Sequence, residues 1–168
     1  DGLDPAVSAR KIISHVHGGE EMAIQGKLPA VIRNFILEHH GRGITRYFYN
    51  MAFNAAGGSP VDPAPYTYPG PNPQSKETAI LMMADAVEAA SRSLKEYSQE
   101  AIDKIENKKI DNQVADGMFS ESPISFSDVE KVKDTFKKRL ATIYHTRVSY
   151  PERKTSVASA GPAAEARE

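Results

Sequence analysis

Long segments in which apolar residues recur with helical spacing run through most of this sequence, and alternating patterns are scarce. Apolar residues at every third or fourth position give a helix one buried face, whereas a half-buried strand alternates at every second position. The pattern therefore predicts an all-α fold. The chain has 168 residues, which is enough for one domain with a sizeable core.

Six helices are predicted, with limits set by capping residues and helix breakers. The predicted segments are residues 6–26, 29–40, 44–56, 75–94, 98–115 and a last helix that opens at the capping-box run Ser127-Asp128-Val129-Glu130. The fourth segment is small and apolar on nearly three sides, which predicts a helix at the centre of a bundle. The other predicted buried stripes are Ile12, His15 and Met22, then Val31, Ile32, Phe35 and Ile36, and finally Val129, Val132, Phe136, Leu140 and Ile143.

A proline-rich segment separates the third and fourth predicted helices. Residues 57–75 contain six prolines, and no helix persists at that density. Because the run from Tyr66 to Pro71 is aromatic, we predict an ordered loop that lies across the N-terminal end of the fourth helix. Residues 151–168 are small, polar and aperiodic, which predicts a disordered tail after a domain that spans residues 1–150.

Composition excludes several classes of protein. The chain has no cysteine, so it has no disulfides, as is usual in a reducing compartment. A net charge of −1 gives no electrostatic footprint for a nucleic-acid polymer, although a small anionic ligand needs only a few local cations or metal ions. No apolar run approaches the ~20 residues of a membrane span. The chain begins at Asp1 without a signal-like segment, and we interpret it as a piece of a longer protein.

Histidines and one carboxylate stand on faces that are predicted to be buried. Singly, each has an ordinary explanation: His15 as a core histidine, His39 and His40 as favourable charges at a helix C-terminus, and Asp85 as the partner of Arg92. Together, imidazoles and a buried carboxylate suit a divalent ion such as Mn, Fe or Zn. Two such ions can hold a hydroxide and the oxygens of a phosphodiester.

The runs that carry these residues resemble the HD phosphohydrolase superfamily. The matching runs are residues 8–16, 28–29, 35–41, 47–49, 68–77 and 83–94. The most specific part is the loop Tyr68-Pro69-Gly70-Pro71 followed by the helix that carries Asp85. In this order and spacing, residues 1–150 are similar to the PgpH-type seven-transmembrane HD proteins.

The resemblance implies an HD-domain-like helical bundle that is incomplete at its N-terminus. It also implies a centre of two divalent transition-metal ions, Mn or Fe, and hydrolysis of cyclic-di-AMP to linear pApA. By motif, the implied metal ligands are His15, His39, His40 and Asp85, with Asp85 also catalytic. The parent protein would be an integral membrane protein with this domain in the cytoplasm.

Three earlier ligands of the family, a histidine and a His-Asp pair, would precede Asp1. Four of seven ligand positions are therefore expected in this chain. We expect the isolated chain to be inactive and to associate with itself through apolar surface that the preceding helices would cover.

Several other residues are candidates for substrate contacts. Arg46 and Lys76 could bind phosphate, although surface cations are common, and Arg92 is a further candidate. Tyr66 and Tyr68 could stack on adenine or simply pack the loop. The remaining candidates are Arg42, which stands where the family often has threonine and is expected to be solvated, and Ser75, which is expected to cap a helix.

Two alternatives stay open at this point. The chain could be a degenerate, non-catalytic HD module that binds a nucleotide or a partner. It could also belong to an HD phosphohydrolase that acts on another phosphoester, such as a nucleoside monophosphate or an alarmone.

Overall fold

A computed structural model of the chain describes residues 4–145, which form six α-helices and one short 3-10 helix. The helices are α1 (Pro5–Gln25), α2 (Ala30–Glu38), α3 (Arg46–Ala55), α4 (Lys76–Ser91), α5 (Gln99–Ala115) and α6 (Phe126–His145), with the 3-10 turn at Ala64–Tyr66. An isolated bridge between Ile44 and Thr67 is the one extended pairing within residues 4–145. The predicted all-α class is confirmed, while the predicted tail lies outside the described residues.

The main core lies between α4, α5 and α6. Its buried side chains are Met83, Val87, Ile102, Ile110, Val129, Val132, Leu140 and Tyr144. The hydroxyls of Ser91 and Tyr144, 2.7 Å apart, join the end of α4 to α6. Because α4 packs against both α5 and α2, it connects this core to the first half of the chain, as expected for a central helix. It is nevertheless covered on fewer sides than predicted, since Ile80 and Leu81 remain exposed.

In α1 and α2, the faces that are buried differ from the predicted ones. Helix α1 buries the small residues Ala9 and Ala23 together with Val16, because its close neighbours α2, α3 and the 3-10 turn leave no room for larger side chains. The predicted stripe residues of these helices that are instead exposed are Ile12, His15, Met22, Val31 and Ile32. The four large apolar side chains among them are uncovered within residues 4–145. Ile143, predicted in the buried stripe of α6, is exposed as well.

Helix α6 begins at Phe126, two residues before the first helical residue that the predicted cap at Ser127 would give. The backbone N–H of Ser125 donates to Asp128 Oδ2 (3.0 Å), and the backbone N–H of Asp128 donates to Ser125 Oγ (3.1 Å). The capping box is therefore formed by Ser125 and Asp128, and the predicted pair of Ser127 and Glu130 is wrong. Lys76 at the start of α4 also binds Asp128 at 2.9 Å, and this hydrogen bond holds the pKa of Asp128 well below its usual range.

The proline-rich segment is an ordered loop, as predicted. Its 3-10 turn packs against α1 and α3, and Tyr66 is buried. Backbone hydrogen bonds from Thr45 to Tyr66 (2.8 Å) and from Tyr68 to Gly43 (2.9 Å) attach it to the chain that follows α2. Its last residue, Ser75, caps α4 by accepting from the backbone N–H of Thr78. The segment therefore lies mainly against the first half of the chain and reaches α4 only at its end.

Glu106 of α5 is a carboxyl group buried in the core without a partner. Its residue surface is fully covered, and neither carboxyl oxygen has a hydrogen-bond partner within residues 4–145. The charged groups around it are Lys137, Asp103, Lys133 and Asp134. Burial dominates over these charges and raises the pKa of Glu106 from 4.5 to about 7.

We expect Glu106 to make the domain less stable as pH rises. Between pH 4.5 and about 7 the folded state keeps a proton that the unfolded chain has lost, so the free energy of unfolding falls through this window. The loss amounts to up to about 3 kcal/mol above pH 7. The neutral variant Glu106→Gln should remove most of this dependence in urea unfolding measured between pH 5 and 8.

The matched control is Glu100→Gln, a change to an exposed residue in the first turn of the same helix. This control should keep the pH dependence of the parent. Identical slopes for the parent and the Glu106→Gln variant would show that Glu106 ionises normally in the folded state.

Candidate metal centre

The close crossing of α1 and α2 brings their histidines together. A Cβ on Gly19 of α1 would lie 3.0 Å from Cγ2 of Ile36 on α2, so the helices touch at this glycine. His15 lies one turn before Gly19, and His39 lies about one turn after Ile36. Residues three or four apart share a helix face, so the crossing places the two imidazoles opposite one another.

Backbone carbonyls fix the orientation of both rings. Nδ1 of His15 donates to the carbonyl of Ile12 (2.5 Å), and Nδ1 of His39 donates to the carbonyl of Ile36 (2.6 Å). A carbonyl only accepts, so the proton of each neutral ring is on Nδ1 and the lone pair is on Nε2. The two Nε2 atoms are 3.1 Å apart. Two lone pairs at this distance repel, and a cation between them removes the repulsion.

His40 and Asp85 complete the cluster. Nδ1 of His40 is 3.8 Å from Oδ2 of Asp85, which is too long for a hydrogen bond. Burial, and then the neighbouring rings of His39 and His15, lower the pKa of His40 to about 4, so its ring is neutral at neutral pH. The contact with Asp85 is therefore not an ion pair, and both groups have lone pairs available to a third group.

The environment of Asp85 differs from the prediction in two respects. Its side chain is 45% exposed, so the predicted buried carboxylate is wrong. It does not pair with Arg92, which instead binds Glu88 at 2.7 Å one turn away. The carboxylate lies beside His40 and lines a cavity between α4 and α5.

The donor set fits a divalent transition-metal ion. The three imidazoles offer ligand atoms that lie within 4.8 Å of one another, and Asp85 adds a carboxylate oxygen next to His40. Two ligands that are each about 2 Å from one ion lie roughly 3 to 4 Å apart. Imidazole and carboxylate are the ligands of Zn, Fe and Mn in proteins. The hydrogen bonds from Nδ1 to backbone carbonyls also orient the rings, as such bonds usually do for imidazoles that bind metal ions.

Tyr68 of the proline-rich loop packs directly on this cluster. Its ring stacks on His40, with ring centroids 4.3 Å apart and an interplanar angle of 23°. One face of Tyr68 is therefore occupied by His40. Burial, with a smaller effect from Asp85, raises the pKa of Tyr68, so the hydroxyl keeps its proton. Tyr66 is buried against Tyr49 and does not line the cavity beside the cluster.

A cavity of about 310 Å³ opens beside the cluster. Its lining includes His39, His40, Asp85 and Tyr68, and the side chains from α5 that line it are Lys109, Asn112, Gln113 and Asp116. These α5 residues were not predicted as site residues, because they belong to no motif. Their spacing of three, four and seven residues, which places them on one helix face, was the available signal.

The other predicted contact residues lie in ion pairs or caps. Arg46 lines the cavity, where its guanidinium binds Asp116. Lys76 and Arg92 do not line the cavity and are paired with Asp128 and Glu88. Arg42 is half exposed and binds Glu121 at 3.3 Å. The structure thus brings together His15, His39, His40, Asp85, Tyr68 and Arg46 and places the remaining candidates elsewhere.

Two contacts hold the proline-rich loop to the end of α2. The buried Glu38 accepts a hydrogen bond from the backbone N–H of Gln74 (3.0 Å). Gly41 has φ = +51°, and a Cβ there would lie 2.6 Å from Asn72 Oδ1 and 2.8 Å from Met82 Cε. Only glycine combines this backbone conformation with such close approach. The turn after His40 is therefore wedged between the loop and α4.

Known proteins give a consistent comparison, although no protein-family model matches the chain. The chain is 37% identical over 152 residues to the cyclic-di-AMP phosphodiesterase PgpH of Bacillus subtilis (strain 168), and 38% identical over 155 residues to PgpH of Listeria monocytogenes. These matches cover 90% and 92% of this chain. The chain spans 21% of the length of each of these two relatives.

Solved structures of the HD domain of L. monocytogenes PgpH have the same fold. One superposes with a TM-score of 0.79 at 36% identity, over 85% of this chain and 66% of the solved chain. A second, in complex with cyclic-di-AMP, superposes with a TM-score of 0.82 at 36% identity, over 88% of this chain and 68% of the solved chain. The helical fold is therefore that of an HD domain.

Within the HD domains, this chain belongs to the PgpH family. The resemblance seen in the sequence is thereby confirmed. Within residues 4–145, no helix combines the length and apolar character that crossing a bilayer requires.

Gly41→Ala is expected to damage both stability and the metal centre. The added methyl group meets Asn72 and Met82 in a left-handed backbone conformation, which should lower the free energy of unfolding by about 2–4 kcal/mol and displace His40. Affinity for Mn²⁺, measured by titration calorimetry, should fall at least about tenfold. Chemical unfolding of the same variant gives the stability.

Gly57→Ala is the matched control. Gly57 also has a positive φ (+58°), but no atom lies within 4 Å of an added Cβ. This variant should lose only about 1 kcal/mol and keep its Mn²⁺ affinity. Equal losses of stability and of Mn²⁺ affinity in the two variants would contradict the close packing of Gly41 against Asn72 and Met82.

Proposed function

We propose that this chain is the later part of a metal-dependent phosphodiesterase domain that hydrolyses cyclic-di-AMP to linear pApA. The names of the B. subtilis and L. monocytogenes relatives and the ligand of the second solved structure support the substrate. The observation that carries the proposal is the pair of Nε2 atoms of His15 and His39, which face each other at 3.1 Å beside His40 and Asp85 while both Nδ1 atoms are bound to backbone carbonyls. This arrangement is stabilised by a divalent cation.

In this proposal the ligands of two divalent ions, Mn or Fe, are His15, His39, His40 and Asp85. Asp85 is also assigned as the catalytic residue. The remaining ligands, a histidine and a His-Asp pair, come from a preceding segment of the parent protein. When bound, the two ions would activate water and stabilise negative charge on the phosphodiester. The protein contributes the orientation of the rings, which the carbonyls of Ile12 and Ile36 fix before any ligand arrives.

The groups around the cluster have separate roles. The exposed side of Asp85 faces the cavity, where water and substrate enter. The protonated hydroxyl of Tyr68 donates a hydrogen bond to the substrate, and its ring holds His40 in place by stacking. Arg46, kept at the cavity edge by Asp116, contributes positive charge for a phosphate. Lys76 and Arg92, which are paired outside the cavity, are assigned no contact with the substrate.

The setting of the domain is also a proposal. By resemblance to the seven-transmembrane HD proteins, the parent is a membrane protein and this domain is cytoplasmic. The exposed side chains of Ile12, Met22, Val31 and Ile32 support the view that further helices, or a second copy, cover α1 and α2.

The full-length protein with added Mn²⁺ is expected to convert cyclic-di-AMP to pApA, detected by chromatography. Asp85→Ala removes a ligand and should lower kcat/KM by about a thousandfold or more. Glu88→Ala is the control, because this carboxylate is exposed on the same helix and pairs only with Arg92. Turnover of a different phosphoester with none of cyclic-di-AMP would reassign the substrate, and binding of cyclic-di-AMP without any turnover would indicate a non-catalytic module.

The 168-residue chain by itself is expected to be inactive under the same conditions. Four ligand side chains can hold one ion with open positions, but not a pair of ions that clamp a phosphodiester between them. A chain extended upstream through the His-Asp pair should regain turnover. Robust hydrolysis of cyclic-di-AMP by the short chain would mean that these four ligands are sufficient.

A further inference from the structure

Two cationic side chains line the cavity beside the histidine cluster, and they differ in one respect. Arg46 is held in an ion pair by Asp116. Lys109 is exposed, and no carboxylate within residues 4–145 lies within ion-pair distance of it. The cavity is therefore lined by a positive charge that no carboxylate of residues 4–145 pairs with.

We propose that Lys109 binds the second, non-reacting phosphodiester of a cyclic dinucleotide, and that α5 thereby positions the substrate ring across the cavity. This inference rests on the proposed function. It assigns a substrate-positioning role to a residue that is far along the chain from the candidate ligands.

The chemistry of the substrate suits such a group. A cyclic dinucleotide carries two phosphodiesters in one ring, so when one reaches the histidines, the other remains an anion on the opposite side of the same small molecule. His39, His40 and Asp85 line the cavity from α2 and α4, and Lys109 lines the same cavity from α5. Lysine binds phosphate as a mobile point charge, which suits a group that is held in place but does not react.

The position of Lys109 on α5 supports this role. Lys109, Asn112, Gln113 and Asp116 lie on the helix face that lines the cavity, while Ile102 and Ile110 are fully buried on the core side. The core contacts of these two isoleucines therefore hold α5 on the face opposite the cavity. The neighbouring Lys108 is equally exposed but does not line the cavity. Lys109 therefore differs from Lys108 in lining the cavity, and not in being one of several neighbouring lysines.

The test uses the full-length protein with Mn²⁺ and two substrates. One is cyclic-di-AMP, and the other is bis(p-nitrophenyl) phosphate, a linear diester with a single phosphate. Lys109→Met should raise KM for cyclic-di-AMP about tenfold with little change in kcat, since one charge-assisted contact is lost. The ratio of kcat/KM for cyclic-di-AMP to that for the linear diester should fall by a similar factor. Lys109→Arg should restore most of the loss.

Lys108→Met is the control, because it removes the same charge from the adjacent position. A KM for cyclic-di-AMP that is the same in the two methionine variants would overturn the inference and leave the proposed function intact. An equal loss of kcat on both substrates in Lys109→Met would overturn it as well, because the residue would then act at the reacting phosphate. If the full-length protein neither binds cyclic-di-AMP in calorimetry nor hydrolyses it, both proposals fail.

Discussion

The candidate site depends on two imidazoles whose protons are held away from each other. The backbone carbonyls of Ile12 and Ile36 take the Nδ1 protons of His15 and His39, so the Nε2 lone pairs converge at 3.1 Å. The i−3 carbonyl of each helix imposes this tautomer, and no other side chain is needed. The geometry is unfavourable unless positive charge lies between the rings. Local helix geometry thus prepares the centre for a cation before any cation is present.

Small residues and buried polar groups bring the two helices close enough for this arrangement. Gly19 lets α1 meet Ile36 of α2, and Gly41 lets the following turn enter the space between Asn72 and Met82. Glu38, although buried, is satisfied by the backbone of the loop. These contacts are made where the chain buries little large apolar surface, because Ile12, Met22, Val31 and Ile32 point outward. Precise placement of the site is thus obtained from backbone proximity more than from a large local core.

The helices could be predicted from periodicity and caps, and the ligand candidates from the runs around His15, His39, His40 and Asp85. The buried faces of α1 and α2 could not be predicted in this way. Apolar periodicity identifies a helix face that needs a partner, but it does not show whether that partner lies within the described residues. The exposure of Asp85 was missed for the same reason. The cavity residues of α5 were missed because their spacing shows only that they share a helix face. The packing of α5 on α4, which brings that face to the cavity beside the histidines, is not encoded locally.

Helix α5 therefore serves two surfaces with different requirements. Its inner face packs Ile102, Glu106 and Ile110 into the core, and its outer face presents Lys109 and Asp116 to the cavity. Glu106 contributes no hydrogen bond to the core that contains it. Apolar contacts fix the distance of α5 from α4 but are not directional. Polar contacts supply the direction: Gln113 Nε2 donates to the backbone carbonyl of Met82 on α4 (3.3 Å), and Lys133 of α6 pairs with Asp111 (2.7 Å). The ion pair between Arg46 and Asp116 adds a link from α5 to α3 at the cavity edge.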